Sequence, residues 1–445
     1  MDMDIDMERD MSTSNAPTFL AIAGIFKNEA PYILEWIAHH RLLGIHRFFI
    51  ADNDSTDIST ELFEALARLG HVELIRHTTE PGIKPQIPAY QRLVELAGDR
   101  VRWMAFIDAD EFIWPTSPGP GIEDFIRTLD AQGDVGALAL NWATYGSGRN
   151  YFYENAPVQQ RFQHCASPPH WLNQNIKSIV KLQALDRFAS VHGVFLKPPY
   201  CCVMSDGHEL VESAEYTRKE TGRLTHSDRV CWDSFRVNHY IVKSWLEFSK
   251  RKIPRGRAYT DSAALTKSFF LGHDNNDCPQ PMPEAHLRAL ADEIQRLRDQ
   301  LQGIGFALDR LDLACSAAEL NANPFTGPIE GCIDGLTLNA EGLRISGWGL
   351  AWRESALRGL RVQVNQQDVP LSHFVALARP DVQTHYAKAP VNSGFNALCA
   401  REHLPQTIHT VTIHGLAEEG FSEPIEFGKY VDIPGLAHPV LRDHT

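Results

Sequence analysis

The chain has no apolar run long enough to cross a bilayer. Its longest early apolar stretch, FLAIAGIF, falls far short of the roughly 20 residues that a spanning helix needs. Any membrane association is therefore expected to be peripheral, at an inner-membrane surface. Cysteine is sparse, with eight in 445 residues, and the adjacent Cys201 and Cys202 belong to no Cys-x-x-Cys pair or finger-like His spacing. Neither a zinc site nor a disulfide framework is suggested, and a reducing, cytoplasmic setting fits best. A basic excess is missing too. The formal net charge is −14, whereas nucleic-acid surfaces are usually basic over a whole face, so no nucleic-acid partner is expected. The opening MDMDIDMERDM is acidic where a secretory leader would be basic, and residues 1–17 are expected to form a disordered tail. No long repeat or low-complexity tract is present.

What the chain does have is 43% hydrophobic content, enough for a large core and more than one domain. From Phe19 short apolar runs alternate with helical periodicity, the pattern of a parallel sheet covered by helices. TFLAIAGIF reads as a buried strand, with Asn28 as N-cap of a helix through EAPYILEWIAHHRLLG that Gly44 ends. HRFFIA is a second strand, and DNDSTD caps a helix with apolar positions Ile58, Leu62, Leu66 and Leu69. VELIRH, the helix IPAYQRLVELA and the strand RWMAFI follow. Ligands in open α/β sheets bind beyond the carboxyl ends of the strands. Lys27 to Glu29, Asp52 to Asp57 and Asp108 to Glu111 each follow such a strand, so they should converge on one cleft.

Residues 135–272 are less regular, with strands VGALALNW and IKSIVKL among aromatic and His-rich loops, and read as the acceptor-side half. In the next helix Leu287, Leu290, Ile294, Leu297, Leu301 and Ile304 form a heptad seam of under three repeats. Docking on its own domain is the favoured use of this seam, with a homodimer through 287–304 as the alternative. Short alternating segments then indicate a β-sandwich over 328–436, set off from the helical connector 273–327 by the linker NANPFTGP and expected to have its own core. Its Trp348 and Trp352 read as core residues in preference to sugar platforms.

Asp-x-Asp occurs four times, so the triplet alone proves nothing. Context singles out WMAFIDADEFIWP, where Asp108 and Asp110 end an apolar strand. Oxygen ligands suit a hard divalent ion, and Mg²⁺ is often held by one or two carboxylates plus substrate phosphates. Asp52 would then be free to bond a sugar or base.

At these residues the chain resembles the GT-A glycosyltransferases. GIFKNEAPYILEWIAHHRLLGIHRFFIADNDSTD followed by WMAFIDADEFIWP is similar to family-two-like enzymes, and more closely to glycosyltransferase family 92. VNHYIVKSWLEFSKRKIPRG resembles that family's pattern near the end of the catalytic domain. The resemblance covers residues 18 to about 258 and implies an α/β, Rossmann-like GT-A domain, here 18–272, followed by the β-sandwich. It implies that Asn28 and Glu29 shape a nucleotide pocket, that Asp52 contacts the nucleoside with Asp54 beside it, and that Asp108 and Asp110 form the Mn²⁺ or Mg²⁺ and diphosphate motif. His239 is a further candidate ligand, with Lys27, Lys84 and Lys243 as candidate donor contacts. The IADND segment departs from the superfamily's usual Asp-Gly pattern at Asn53 and Asp54.

Other roles compete. Asp52, Asp54, Ser55 and Asp57 also read as helix-capping residues, His239 equally as a structural histidine, and His192 as a weaker site candidate. Lys250, Arg251, Lys252, Arg255 and Arg257 read as a solvated face or as an anchor to an anionic glycolipid or membrane. Glu247, Glu111 and Asp206 are the candidate bases, and spacing does not choose among them. The expected function is transfer of a sugar from a nucleotide donor, a UDP-sugar being one candidate, to a glycan or lipid-linked acceptor, with inversion implied by the resemblance alone. Two other classes stand beside it: a metal-dependent phosphoesterase or nucleotidyltransferase, and a non-catalytic glycan-binding protein.

Overall fold

The computed structural model describes residues 17–150, 153–211, 225–255, 265–311, 328–417 and 420–432. The expected acidic tail and the NANPFTGP linker lie outside the described residues, apart from Pro17 and Pro328.

Strand β1 (Thr18–Phe26) runs parallel to β2 (Phe48–Asp52) on one side and to β4 (Val101–Phe106) on the other, while β3 (Glu73–Arg76) lies parallel to β2. The order 3-2-1-4 reverses direction at β1, which opens a crevice beyond the carboxyl ends of β1 and β4. The sheet continues through the antiparallel strand Ile176–Lys181 to β6 (Val135–Thr144), the strand Phe235–His239 and β5 (Glu111–Pro115). Phe235–His239 runs parallel to β6 and antiparallel to β5.

Alternation along β1 assigns the two faces. Leu20 and Ile22 pack in the core with α1 (Ala30–Leu42), α2 (Ser59–Arg68) and α4 (Ile122–Asp130). On the opposite face the small Ala21 and Ala23 pack with Ala89, Tyr90 and Leu93 of α3 (Gln86–Ala97). The sheet is thus covered on both sides, and its polar groups are left for the strand ends.

The helix Glu284–Gly303 buries Leu290, Leu297 and Leu301 in the main core, with Leu287 and Ile294 packed against it beside α1. The heptad stripe is therefore occupied within the chain, and the homodimer seam is corrected on that ground. Among the described residues no helix is long and apolar enough to cross a membrane.

The C-terminal region forms a six-stranded and a four-stranded sheet. Ile333, Ile345 and Phe395 of the first share a core with Val362, Val364 and Ile413 of the second. That core does not stop at the domain edge. It continues into Val242, Trp245, Phe248 and Phe270, and the Phe270 ring lies 6.0 Å from that of Trp352. The expectation of a separate core for this region is corrected: its apolar side is completed by the segment that carries the cations described next. Trp352 is buried and Trp348 packs near Tyr386, as core tryptophans should.

Candidate functional site

A cleft of about 460 Å³ opens beyond the carboxyl ends of β1, β2 and β4. The loops around it are fastened to one another. Asn28 adopts φ 55°, donates its amide to Ser55 Oγ at 3.0 Å, and accepts on Oδ1 from the amides of Thr56 and Asp57 at 2.7 and 3.2 Å. Asn28 is therefore a clasp between the β1 and β2 loops and not the expected helix cap. Asp54, at φ 51°, accepts the Thr79 amide at 3.0 Å, and Asn53 donates to the His77 carbonyl and Thr79 Oγ1.

Asp110 stands on the cleft wall. Its Oδ1 is 3.4 Å from His239 Nε2 and its Oδ2 2.9 Å from Lys252 Nζ. Pairing of His239 with Glu111 between Phe235–His239 and β5 fixes this approach, as does the Tyr240 amide donating to the Asp110 carbonyl at 2.9 Å. Burial would raise the Asp110 pKa, but the Lys252 ammonium and His239 outweigh it and hold the carboxyl well below its ordinary value. Burial lowers the pKa of His239, against the pull of Asp110, so its imidazole is neutral at pH 7.

Asp108 also lines the cleft, yet its carboxylate is engaged elsewhere. Oδ1 accepts from Gln86 Nε2 at 2.6 Å and Tyr90 Oη at 3.1 Å, and Oδ2 is 2.9 Å from Lys177 Nζ. The expected set of Asp108, Asp110 and His239 is thus not drawn into one ligand cage: Asp110 and His239 meet, and Asp108 turns to the buried Lys177. Among the described residues the one group of three with metal-ligand proximity is Asp206, Cys231 and Asp233, and none of these lines the cleft. There Arg229 and His208 pair with the Asp206 carboxylate, which removes Asp206 as a base for cleft chemistry.

The other two candidate bases are also off the cleft. Glu111 is fully buried, accepts the Asp108 amide at 2.8 Å and lies 3.3 Å from Lys177. Burial pushes its pKa up, with Lys177 opposing. Glu247 accepts two bonds from Arg161, at 2.8 and 2.9 Å, and one from Tyr32 Oη at 2.7 Å, and its side chain closes a capping box with Ser244. It is an anchor beside the cleft.

That anchor begins the helical stretch Trp245–Arg255, which includes a π-helical turn, a feature frequent at functional sites. Three of its cations face inward, while Lys250 is exposed. Lys252 pairs with Asp110, Arg251 with Asp57 at 3.2 Å, and Arg255 with Glu29. Burial lowers the Arg255 pKa to about 10. The solvated basic face and membrane anchor expected of this segment are corrected for these three residues, since each is mostly covered and tied to a strand-end acid. Lys27 and Lys84 line the same cleft. Lys243, at φ 55°, sits over the Tyr32 ring at 4.3 Å in an adjoining pocket, and burial lowers its pKa to about 8.

Asp52 does not reach the cleft lining. Its buried carboxylate accepts from Thr60 Oγ1 and lies 3.4 Å from Arg76, beneath α2. Lys177, Gln86 and Tyr90 escaped sequence reasoning. For Lys177 a signal existed: it falls in the apolar strand IKSIVKL, and a lysine there needs a buried partner.

The family model of glycosyltransferase family 92 matches residues 17–261, more than half of the chain. The chain belongs to glycosyltransferase family 92. A family 92 protein of Arabidopsis thaliana is 32% identical over 256 residues, covering 54% of this chain and 41% of its own length. One of Ricinus communis is 36% identical over 230 residues, covering 49% and 37%. The chain thus spans about two-fifths of the length of these family 92 relatives. Among solved structures, Staphylococcus aureus TarS 1–349 in complex with UDP-GlcNAc aligns at 13% identity, a TM-score of 0.27, and 66% and 77% coverage, a distant similarity.

Proposed function

We propose that the cleft binds a nucleotide-sugar donor, a UDP-sugar in the first instance, and transfers its sugar with inversion to a glycan or lipid-linked glycan. The observation that carries this reading is the gathering of Lys27, Lys84, Lys252 and Arg255 around Asp110 and His239 at the carboxyl ends of the parallel strands. A neutral sugar needs no such cations, whereas a diphosphate does. The cleft volume of about 460 Å³ lies within the range of ordinary small-molecule sites.

The residues present fit a divalent ion. Asp110 offers a carboxylate, and His239 a neutral imidazole whose Nε2 lies 3.4 Å from it. An oxygen-plus-imidazole pair suits Mn²⁺ better than Mg²⁺, which favours oxygen alone. When bound, the ion would stabilise charge on the leaving diphosphate. Lys252, beside Asp110, and Arg255, beside Glu29, would contact phosphate oxygens, and Asn53 and Asp54 line the side nearer β2.

The test is incubation with UDP-glucose, UDP-galactose and UDP-N-acetylglucosamine in Mn²⁺ and in EDTA. Release of UDP from one of them supports the reading. Release of phosphate or pyrophosphate instead would favour the phosphoesterase or nucleotidyltransferase, and no turnover with no UDP binding would reject a donor site altogether.

A further inference from the structure

We infer that the imidazole of His192 is the base that takes the acceptor hydroxyl's proton, an inference that rests on the sugar-transfer reading above. His192 lines the cleft, and the expected bases Glu247, Glu111 and Asp206 do not. Its ring touches the indole of Trp142 with centroids 5.2 Å apart, and the same indole lies 4.2 Å from the His239 ring. His192 and the His239 of the Asp110–His239 pair thus pack against one indole.

The residue is held on three sides. Its amide donates to Ser190 Oγ at 3.0 Å, its carbonyl accepts from Ser178 Oγ at 2.8 Å, and its ring Nδ1 lies 3.1 Å from the Ile176 carbonyl. A carbonyl only accepts, so Nδ1 carries the proton in that bond. Nε2 is then the lone-pair nitrogen. Among the described residues it makes no hydrogen bond, and the residue is half-buried on the cleft lining. A backbone carbonyl here fixes the tautomer, one part of what an orienting carboxylate does in a hydrolase triad.

The other acidic groups on the cleft wall are engaged. Asp110 is bound by Lys252, Asp108 by Lys177, Glu29 by Arg255 and Asp54 by the Thr79 amide. The titratable groups that face His192 are Lys177, His226 and His239. Burial first, then the Lys177 cation, hold the His192 pKa well below its ordinary value, so the ring is neutral at pH 7 and Nε2 keeps its lone pair. In the step, the acceptor oxygen bonds the anomeric carbon while that carbon's bond to the diphosphate oxygen breaks. The electron pair leaves with the diphosphate, and the acceptor's proton passes to Nε2.

The experiment uses the full chain, with water as acceptor, and the UDP-sugar that it hydrolyses fastest among UDP-glucose, UDP-galactose and UDP-N-acetylglucosamine. His192→Asn retains a donor for the Ile176 carbonyl, and His192→Ala removes the ring. Both should lower kcat by roughly a hundredfold or more while UDP affinity, read by calorimetry, stays within about twofold of wild type. Added imidazole should restore part of the activity of His192→Ala. A kcat within about threefold of wild type in either soluble variant would overturn the assignment. So would a loss of UDP affinity in step with kcat/KM, or a failure of imidazole to rescue. If the wild-type chain hydrolyses none of the three sugars, the sugar-transfer reading fails first and this inference with it.

Discussion

Replacing Glu247 with glutamine should unfold the protein sooner, because its carboxylate is a structural anchor. Glu247 and Arg161 have side chains only 2% and 4% exposed and share two bonds at 2.8 and 2.9 Å. Tyr32 Oη and the Ser244 amide add bonds at 2.7 and 3.1 Å. Glutamine keeps the shape but leaves the Arg161 cation buried without its counter-charge. Breaking such a pair costs about 3–5 kcal/mol, and the accepting oxygen that remains places the loss near the lower figure. For a chain of this length, at about 1 °C per kcal/mol, the melting temperature should fall by roughly 3–5 °C. Scanning fluorimetry at pH 7 reads this directly. Burial raises the Glu247 pKa, but the Arg161 bonds outweigh it and hold the group below its ordinary value. Its contribution is therefore complete above the unfolded carboxyl's pKa and is lost as pH falls through the lower folded value. The gap between wild type and variant should narrow only below about pH 4. A melting temperature within about 1 °C of wild type, with UDP-sugar hydrolysis abolished, would refute this reasoning and return Glu247 to the role of base.

Three further outcomes are expected. Asp52→Ala should lower stability by about 1–2 kcal/mol through loss of the buried Thr60 bond, with UDP affinity unchanged; weaker UDP binding at unchanged stability would put Asp52 in the donor site. A chain ending at Leu311 should aggregate, because Trp245, Phe248 and Phe270 lose the core they share with Ile329, Trp352 and Leu357. A soluble, monodisperse fragment that binds UDP would contradict that. Leu290→Ala should cost about 2–5 kcal/mol in chemical denaturation, since Leu290 is fully buried within the chain; a change in mass by light scattering with stability intact would point instead to a dimer seam.

Much of the sheet was legible because each strand and helix announces itself locally. TFLAIAGIF, RWMAFI and VGALALNW are strands in the structure, and the helix IPAYQRLVELA forms over Gln86–Ala97. Strand order then carries Lys27, Asp54, Asp108 and Asp110 to one cleft, as a doubly wound sheet should. Side-chain direction was not legible. Asp52 and Asn53 are neighbours in sequence, yet Asn53 lines the cleft while Asp52 is buried under α2. Partners distant in sequence were equally hidden. The pairing of Asp110 with Lys252 joins residues 142 positions apart, and only the fold reveals that Arg251, Lys252 and Arg255 turn inward. The shared core of Phe270 and Trp352 is invisible for the same reason, because composition marks a change of strand pattern and not what the strands lie against.

The central claim is that Asp110, His239 and the inward cations form a site for a nucleoside diphosphate. Calorimetric titration of UDP into the wild-type chain and the Asp110→Asn and Lys252→Ala variants, each in Mn²⁺ and in EDTA, tests it most directly. The account predicts wild-type binding that weakens at least about tenfold in EDTA, equivalent to about 1.4 kcal/mol. It also predicts a loss of that Mn²⁺ dependence in Asp110→Asn, and weaker binding in both media for Lys252→Ala. Equal UDP affinity in all three proteins, with or without Mn²⁺, would contradict it.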